Sequence, residues 1–143
     1  KVVSSSISGS TSASAPSRME KWVLKMKPQA ILLALGANDG LRGLSPKEME
    51  KNLTKAIELG KKSGAKIFLA GVPMPPNFGN FYLKNYQDAF PRAAKSTKVP
   101  LLPNLIDKVG GVLSLNQDDR IHPNEKGHEI IAETVYLFLK DKL

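Results

Sequence analysis

Short, continuously apolar runs alternate along the chain with longer stretches in which apolar residues recur every three or four positions. The runs are residues 30–35 (Ala-Ile-Leu-Leu-Ala-Leu), 66–72 (Lys-Ile-Phe-Leu-Ala-Gly-Val) and 99–102 (Val-Pro-Leu-Leu). Such runs are expected of strands covered on both faces. Val2-Val3, leading into a serine-rich stretch, reads as the end of one more strand and a loop. The periodic stretches predict helices. The first has Ser17 as N-cap and Trp22, Leu24 and Met26 on its buried face, and it ends at Pro28. The second opens at Ser45-Pro46-Lys47-Glu48, where a serine N-cap, a proline at the first helical position and a glutamate can form a capping box. Met49, Leu53, Ile57 and Leu59 supply its apolar stripe, and Gly64 fits a left-handed C-terminal cap. Residues 73–80 carry three prolines in four positions and form a loop. Residues 81–98 are helical with a break at Pro91, and residues 124–140 form a helix bearing Ile130, Ile131, Val135 and Leu139.

Strands separated by helices imply an α/β fold, a parallel sheet with helices on both faces. The 143 residues, 41% of them hydrophobic, suit one globular domain over residues 1–143. In such sheets ligands sit outside the carboxyl ends of the strands. Three segments fall there: Ser8-Gly9-Ser10-Thr11, Gly36-Ala37-Asn38-Asp39-Gly40, and Asp119-Arg120-Ile121-His122-Pro123-Asn124.

The net charge of +8 raises the question of an acidic partner. The lysines (Lys47, Lys51, Lys55, Lys61, Lys62, Lys140 and Lys142 among them) are scattered along helix faces, which reads as a solvated surface, and no nucleic-acid partner is expected. No apolar run reaches the roughly 18 residues of a membrane span, so no stable membrane insertion is expected. Without cysteine there is neither a disulfide framework nor a thiolate metal site, and His128, six residues after His122, does not match a helical metal-pair spacing. No cofactor and no metal are expected.

Asp119 stands three residues before His122, at the start of a helix. A carboxylate orienting a histidine is two thirds of a hydrolase triad. Taken alone, the pair also fits a helix-terminal histidine with a nearby cap. Asn38-Asp39-Gly40 alone fits a turn, and Gly9 among serines fits a flexible loop.

Together the three segments resemble the SGNH hydrolases, also called the GDSL esterase/lipase family, most closely its bacterial thioesterase I/arylesterase/lysophospholipase branch. Ser6-Ile7-Ser8-Gly9 is similar to the family's second block, residues 36–43 (Gly-Ala-Asn-Asp-Gly-Leu-Arg-Gly) to its third, and residues 119–124 to its last. The resemblance implies a three-layer α/β/α, flavodoxin-like parallel sheet. It also implies a serine esterase acting on small carboxylic esters or thioesters of short to medium acyl chains, in the periplasm or secreted. By resemblance, His122 is the general base and acid, Asp119 orients it, and the Gly9 N–H and the Asn38 amide are oxyanion donors. Asp39 holds the Asn38 loop. Leu41, Met74 and Phe78, with Pro75, Phe81 and Tyr82, line an acyl groove or else belong to the core beneath a proline-rich loop. The family's first block, Gly-Asp-Ser-Leu, occurs nowhere in these residues, and Ser10 does not fit the nucleophile's place. The nucleophilic serine, with the first strand and helix of the fold, is therefore expected on an N-terminal segment preceding Lys1, making residues 1–143 an incomplete domain. A carbohydrate acetylesterase of the same family, a truncated and inactive relative, and a non-catalytic basic binding module are the alternatives.

Overall fold

The computed structural model describes every residue but Pro75, and every side chain but those of Leu24, Pro75 and Pro76. Three parallel strands, β1 (Ala30–Leu33), β2 (Lys66–Ala70) and β3 (Leu101–Leu102), lie in the order β1-β2-β3. Each is shorter than its apolar run. The ladders close at Leu33↔Leu69 and Ala70↔Leu102, and Pro100, which has no N–H, cannot extend β3 backwards. Val2 and Val3 are not a strand. Val2 is 98% exposed, and among the described residues no strand runs beside the pair to accept its backbone groups. β1 is an edge strand, paired on the β2 side alone.

Side chains on β2 alternate between two layers, as the pleat requires. Ile67 and Leu69 join the core formed with α1 (Ala15–Met26), α3 (Pro46–Lys62) and α4 (Asn80–Thr97), whereas Phe68 meets Phe138 of α5 (Glu125–Leu139) edge-on, with centroids 6.0 Å apart. The architecture is thus α/β/α.

The serine cap of α3 forms as its residues predict, with the Ser45 hydroxyl accepting from the Glu48 N–H, and Met49, Leu53 and Ile57 are buried. Gly64 follows the helix with φ +84. The other helices depart from expectation. α1 begins at Ala15, before the expected Ser17 cap, and its inner face is Ala15, Met19 and Val23, which recur every four residues, while Met26 is exposed and Trp22 half-buried. The Leu24 side chain, expected on that face, lies outside the described ones. Pro91 does not break α4. It stands on the exposed face, as does Gln87, whose carbonyl it leaves without a backbone donor, and burial of Tyr86, Ala89, Phe90, Ala93 and Ala94 holds the helix on both sides of it. Ile130, Ile131, Val135 and Leu139 of α5 are only half-buried against the narrow sheet.

The direction of α5 places the third candidate segment. The Lys66 ammonium, at the start of β2, donates to the Lys142 carbonyl at 3.3 Å and to the Leu143 carbonyl. The end of α5 therefore lies at the amino end of the sheet. Fifteen helical residues span about 22 Å, enough to cross the sheet, so the loop before α5 lies at the carboxyl end.

Candidate active site

At the carboxyl end of β1 the chain turns through Gly36, at φ +119, into the short helix α2 (Ala37–Leu41). Gly40 lies against Met74 and Tyr86 so closely that a Cβ there would come within 1.9 Å of the Met74 sulfur. Only glycine lets α2 settle on that pair. The seating presents Asn38 and Asp39 to the serine-rich segment. Asp39, 4% exposed, accepts from the Ser12 N–H at 2.8 Å and the Ser12 hydroxyl at 2.5 Å, and Asn52 donates to the same hydroxyl at 3.2 Å. Asn38 donates through Nδ2 to the Ser10 carbonyl at 3.0 Å, and Arg42 donates to the Gly9 carbonyl at 3.0 Å. Gly9 and Asn38 are thereby brought together. Gly9 adopts φ +71, and neither its N–H nor the second amide hydrogen of Asn38 has an acceptor among the described residues.

Asp39 carries no cationic partner among the described residues, so its charge is held by hydrogen bonds alone. Asp39→Ala would strand the buried N–H and hydroxyl of Ser12, and a loss of about 3 kcal/mol is expected. Urea unfolding checks this, and an unshifted midpoint would show that other contacts hold the glycine loop.

The second half of the site is a tight hairpin. Asn116 and Pro123 form an antiparallel bridge, the Gln117 N–H donates to the His122 carbonyl at 2.8 Å, and Arg120 makes the turn at φ +60. Asp119 closes the turn from inside. Its Oδ1 accepts from the N–H groups of Ile121 and His122 at 2.9 and 3.0 Å, and its Oδ2 lies 2.6 Å from His122 Nδ1. The N–H groups of His122 and Ile121, followed by the imidazole, lower the Asp119 pKa to about 2. With Nδ1–H directed at the carboxylate, the lone pair of Nε2 is free on an exposed ring. Asn116 donates to the Val109 and Val112 carbonyls, both at 2.8 Å. Asn124 caps α5 by accepting from the Gly127 N–H at 3.1 Å and donates to the Ser114 carbonyl at 3.0 Å. The hairpin is bolted to both its neighbours.

No hydrogen bond among the described residues joins the Gly9/Asn38 pair to the Asp119/His122 pair; the sheet alone relates them. Leu41, Met74 and Phe78 are half-buried beside α2 and α4. Phe78 begins an aromatic row in steps of four, its ring 6.0 Å from Tyr82, which lies 6.4 Å from Tyr86, in turn 5.4 Å from Phe90. Burial, then the Asp39 charge, raises the Tyr86 pKa, and its phenol donates to the Val72 carbonyl at 3.0 Å. Tyr82, a groove candidate, donates to the Leu44 carbonyl, and Phe81 is 86% exposed. Pro75 lies outside the described residues. A cleft of about 220 Å³ at this end is lined instead by Val72, Pro73, Gln87, Phe90, Pro103 and Asn104, none of them expected. Sequence reasoning also missed Ser12, Arg42, Asn52 and Asn116, whose roles depend on partners far along the chain or on backbone carbonyls. Asn124 alone carried a legible signal, as a capping residue directly before a helix.

Similarity to known proteins bears on this arrangement. The sequence model of the GDSL-like Lipase/Acylhydrolase family matches residues 1–130. The Esterase TesA of Pseudomonas aeruginosa is 36% identical over all 143 residues, which span 71% of that protein. The Thioesterase 1/protease 1/lysophospholipase L1 of Escherichia coli K12 is 36% identical over 132 residues, covering 92% of this chain and 64% of the relative. A crystal structure of TesA superimposes with a TM-score of 0.96 at 36% identity, covering 100% of this chain and 79% of that one.

Proposed function

The chain belongs to the GDSL-like Lipase/Acylhydrolase family and is a serine ester hydrolase of it, and from this premise we propose that the hydrogen-bonded Asp119 and His122 and the neighbouring Gly9 and Asn38 are the base and oxyanion halves of one active site. The 2.6 Å bond from Asp119 Oδ2 to His122 Nδ1, with Nε2 left free, carries the reading. Nε2 takes the proton of a serine hydroxyl as its oxygen attacks the carbonyl carbon. The carbonyl π electrons move onto oxygen, where the Gly9 N–H and the spare Asn38 amide hydrogen receive the charge. The tetrahedral adduct then expels an alkoxide or thiolate, which His122 protonates, and water activated by His122 frees the acid from the acyl-enzyme.

The serine itself belongs to a segment preceding these residues, which also supplies the strand for the unpaired edge of β1. Two observations support this assignment. Ser12 is fully buried against Asp39, and the Ser10 hydroxyl accepts from Arg18 at 3.2 Å. Neither is bonded to His122. Substrates are small carboxylic esters or thioesters of short to medium acyl chains, supported by the names of the relatives and by the apolar Leu41, Met74 and Phe78 beside α2. The same reading makes the protein an exported hydrolase, periplasmic or secreted. Among the described residues no helix is long and apolar enough to cross a membrane.

Treatment of the full-length protein with a fluorophosphonate is expected to leave one covalent adduct, on a serine upstream of Lys1, read by peptide mass spectrometry. An adduct on Ser10 or Ser12 would move the nucleophile into this chain. No adduct on any serine would defeat the mechanism.

A further inference from the structure

The lysines that look scattered in sequence are gathered in space. Helices α1, α3, α4 and α5 all end at the amino end of the sheet, opposite the candidate active site. Two exposed lysines stand at each of those ends: Lys25 and Lys27 on α1, Lys61 and Lys62 on α3, Lys95 and Lys98 on α4, Lys140 and Lys142 on α5. Lys66, opening β2, lies among them. The ends are stitched together, since Lys61 donates to the Thr97 carbonyl at 2.8 Å, the Lys66 N–H to the Gln29 carbonyl at 2.9 Å, and the Lys66 ammonium to the Lys142 carbonyl at 3.3 Å.

Against these nine lysines the same end carries, among the described residues, only Glu58 and Asp141, out of 21 basic and 13 acidic side chains in the chain. The remaining charges of both signs nearly balance, so this one face accounts for almost all of the net +8. A single cation would answer the macrodipole at each helix end; here there are two.

We propose that this face docks the protein on an anionic lipid bilayer. Three features favour lipid over nucleic acid. The cations are all lysines, which act as point charges at a bilayer surface, and the face has no arginine fork for bidentate phosphate contact. Apolar and amphipathic side chains are interleaved with them. Trp22 is half-buried with the Lys25 ammonium 5.6 Å from its ring centroid, Met26 is 41% exposed, and Tyr136 and Leu137 in the last turn of α5 are exposed. Between the ends of α3 and α4 lies a cleft of about 310 Å³, walled by Lys61, Lys62 and Lys98 with Glu58, Ser96 and Thr97, that has room for a headgroup phosphate. Docked in this way, the protein turns its carboxyl rim toward water.

Trp22, the only tryptophan among these 143 residues, reports on this face, its share of the emission taken as the part lost in Trp22→Phe. Mixed with vesicles of three parts phosphatidylcholine to one part phosphatidylglycerol at low salt, the full-length protein is expected to co-sediment. Brominated lipid in the same vesicles is expected to quench its Trp22 emission. Neither effect is expected with phosphatidylcholine alone, nor at about 1 M salt, where the screening length falls to about 3 Å. The variant Lys62→Gln/Lys95→Gln/Lys98→Gln/Lys140→Gln should partition at least about a hundredfold more weakly, while hydrolysing a water-soluble ester as the parent does. Lys47→Gln/Lys51→Gln/Lys55→Gln/Lys108→Gln, with equal charge loss elsewhere, should partition nearly as the parent. Equal losses in both variants, sedimentation with phosphatidylcholine alone, or binding without quenching of a tryptophan in this chain would each overturn the proposal. Salt-sensitive binding to duplex DNA that is tighter than to the vesicles would reassign the face to nucleic acid.

Discussion

Replacing His122 with alanine is expected to lower kcat/KM for ester hydrolysis by about 10⁴-fold or more. No other group among the described residues is held by a carboxylate with its proton-accepting atom exposed. The loss should appear in kcat with KM little changed, because the imidazole moves protons and does not hold the acyl chain. It should come without loss of stability, since the ring is exposed and the Asp119 bonds to the Ile121 and residue 122 N–H groups survive truncation. Asp119 strengthens this expectation. Its folded pKa of about 2 lies below the ordinary carboxylate range, so its hold on the turn is complete above that range and is lost only as pH falls through about 2. Acid inactivation at milder pH does not come from Asp119. Retention of ester hydrolysis by His122→Ala, measured on a chromogenic ester, would remove the base from the mechanism.

Asn38→Ala is expected to lower kcat by about 10²- to 10³-fold, as loss of one preorganised oxyanion donor does elsewhere. The side chain has two amide hydrogens, one committed to the Ser10 carbonyl at 3.0 Å and one free. The first fixes the direction of the second, so the amide is oriented before substrate arrives. Truncation removes both. Arg42 still holds Gly9 and Asp39 still holds Ser12, so the loop should stay in place and the unfolding midpoint should move little. A midpoint that falls in step with the rate would make Asn38 a structural brace, and a raised KM at constant kcat would make it a ground-state binding residue.

Local features were legible in the sequence; features set by distant packing were not. The opening of α3 needs only Ser45, Pro46 and Glu48, all adjacent. The Asp119–His122 spacing likewise sits within one turn of chain. The apolar runs named three strands but not their lengths, because a strand stops where its neighbour does. The break expected at Pro91 failed for a related reason: the six buried residues of α4 outweigh one missing N–H, and their burial depends on α3 and the sheet. The buried face of α1 was misread because Trp22, Leu24 and Met26 recur every second residue, about 200° apart on a helix, whereas the buried Ala15, Met19 and Val23 recur every fourth, close to one full turn. Scattered lysines became a face only once four helix ends met at one end of the sheet.

Asp119 and His122 are three residues apart, and their hairpin is closed by neighbours in sequence, whereas Asn38 reaches Ser10 across 28 residues and Arg42 reaches Gly9 across 33. Contacts of such different range respond differently to partial opening. Fluctuations that loosen the serine-rich segment from α2 and α3 abolish the second pair and leave the first intact. On the proposed assignment, warming is expected to cost the oxyanion donors before the base, so that activity fades before the fold melts.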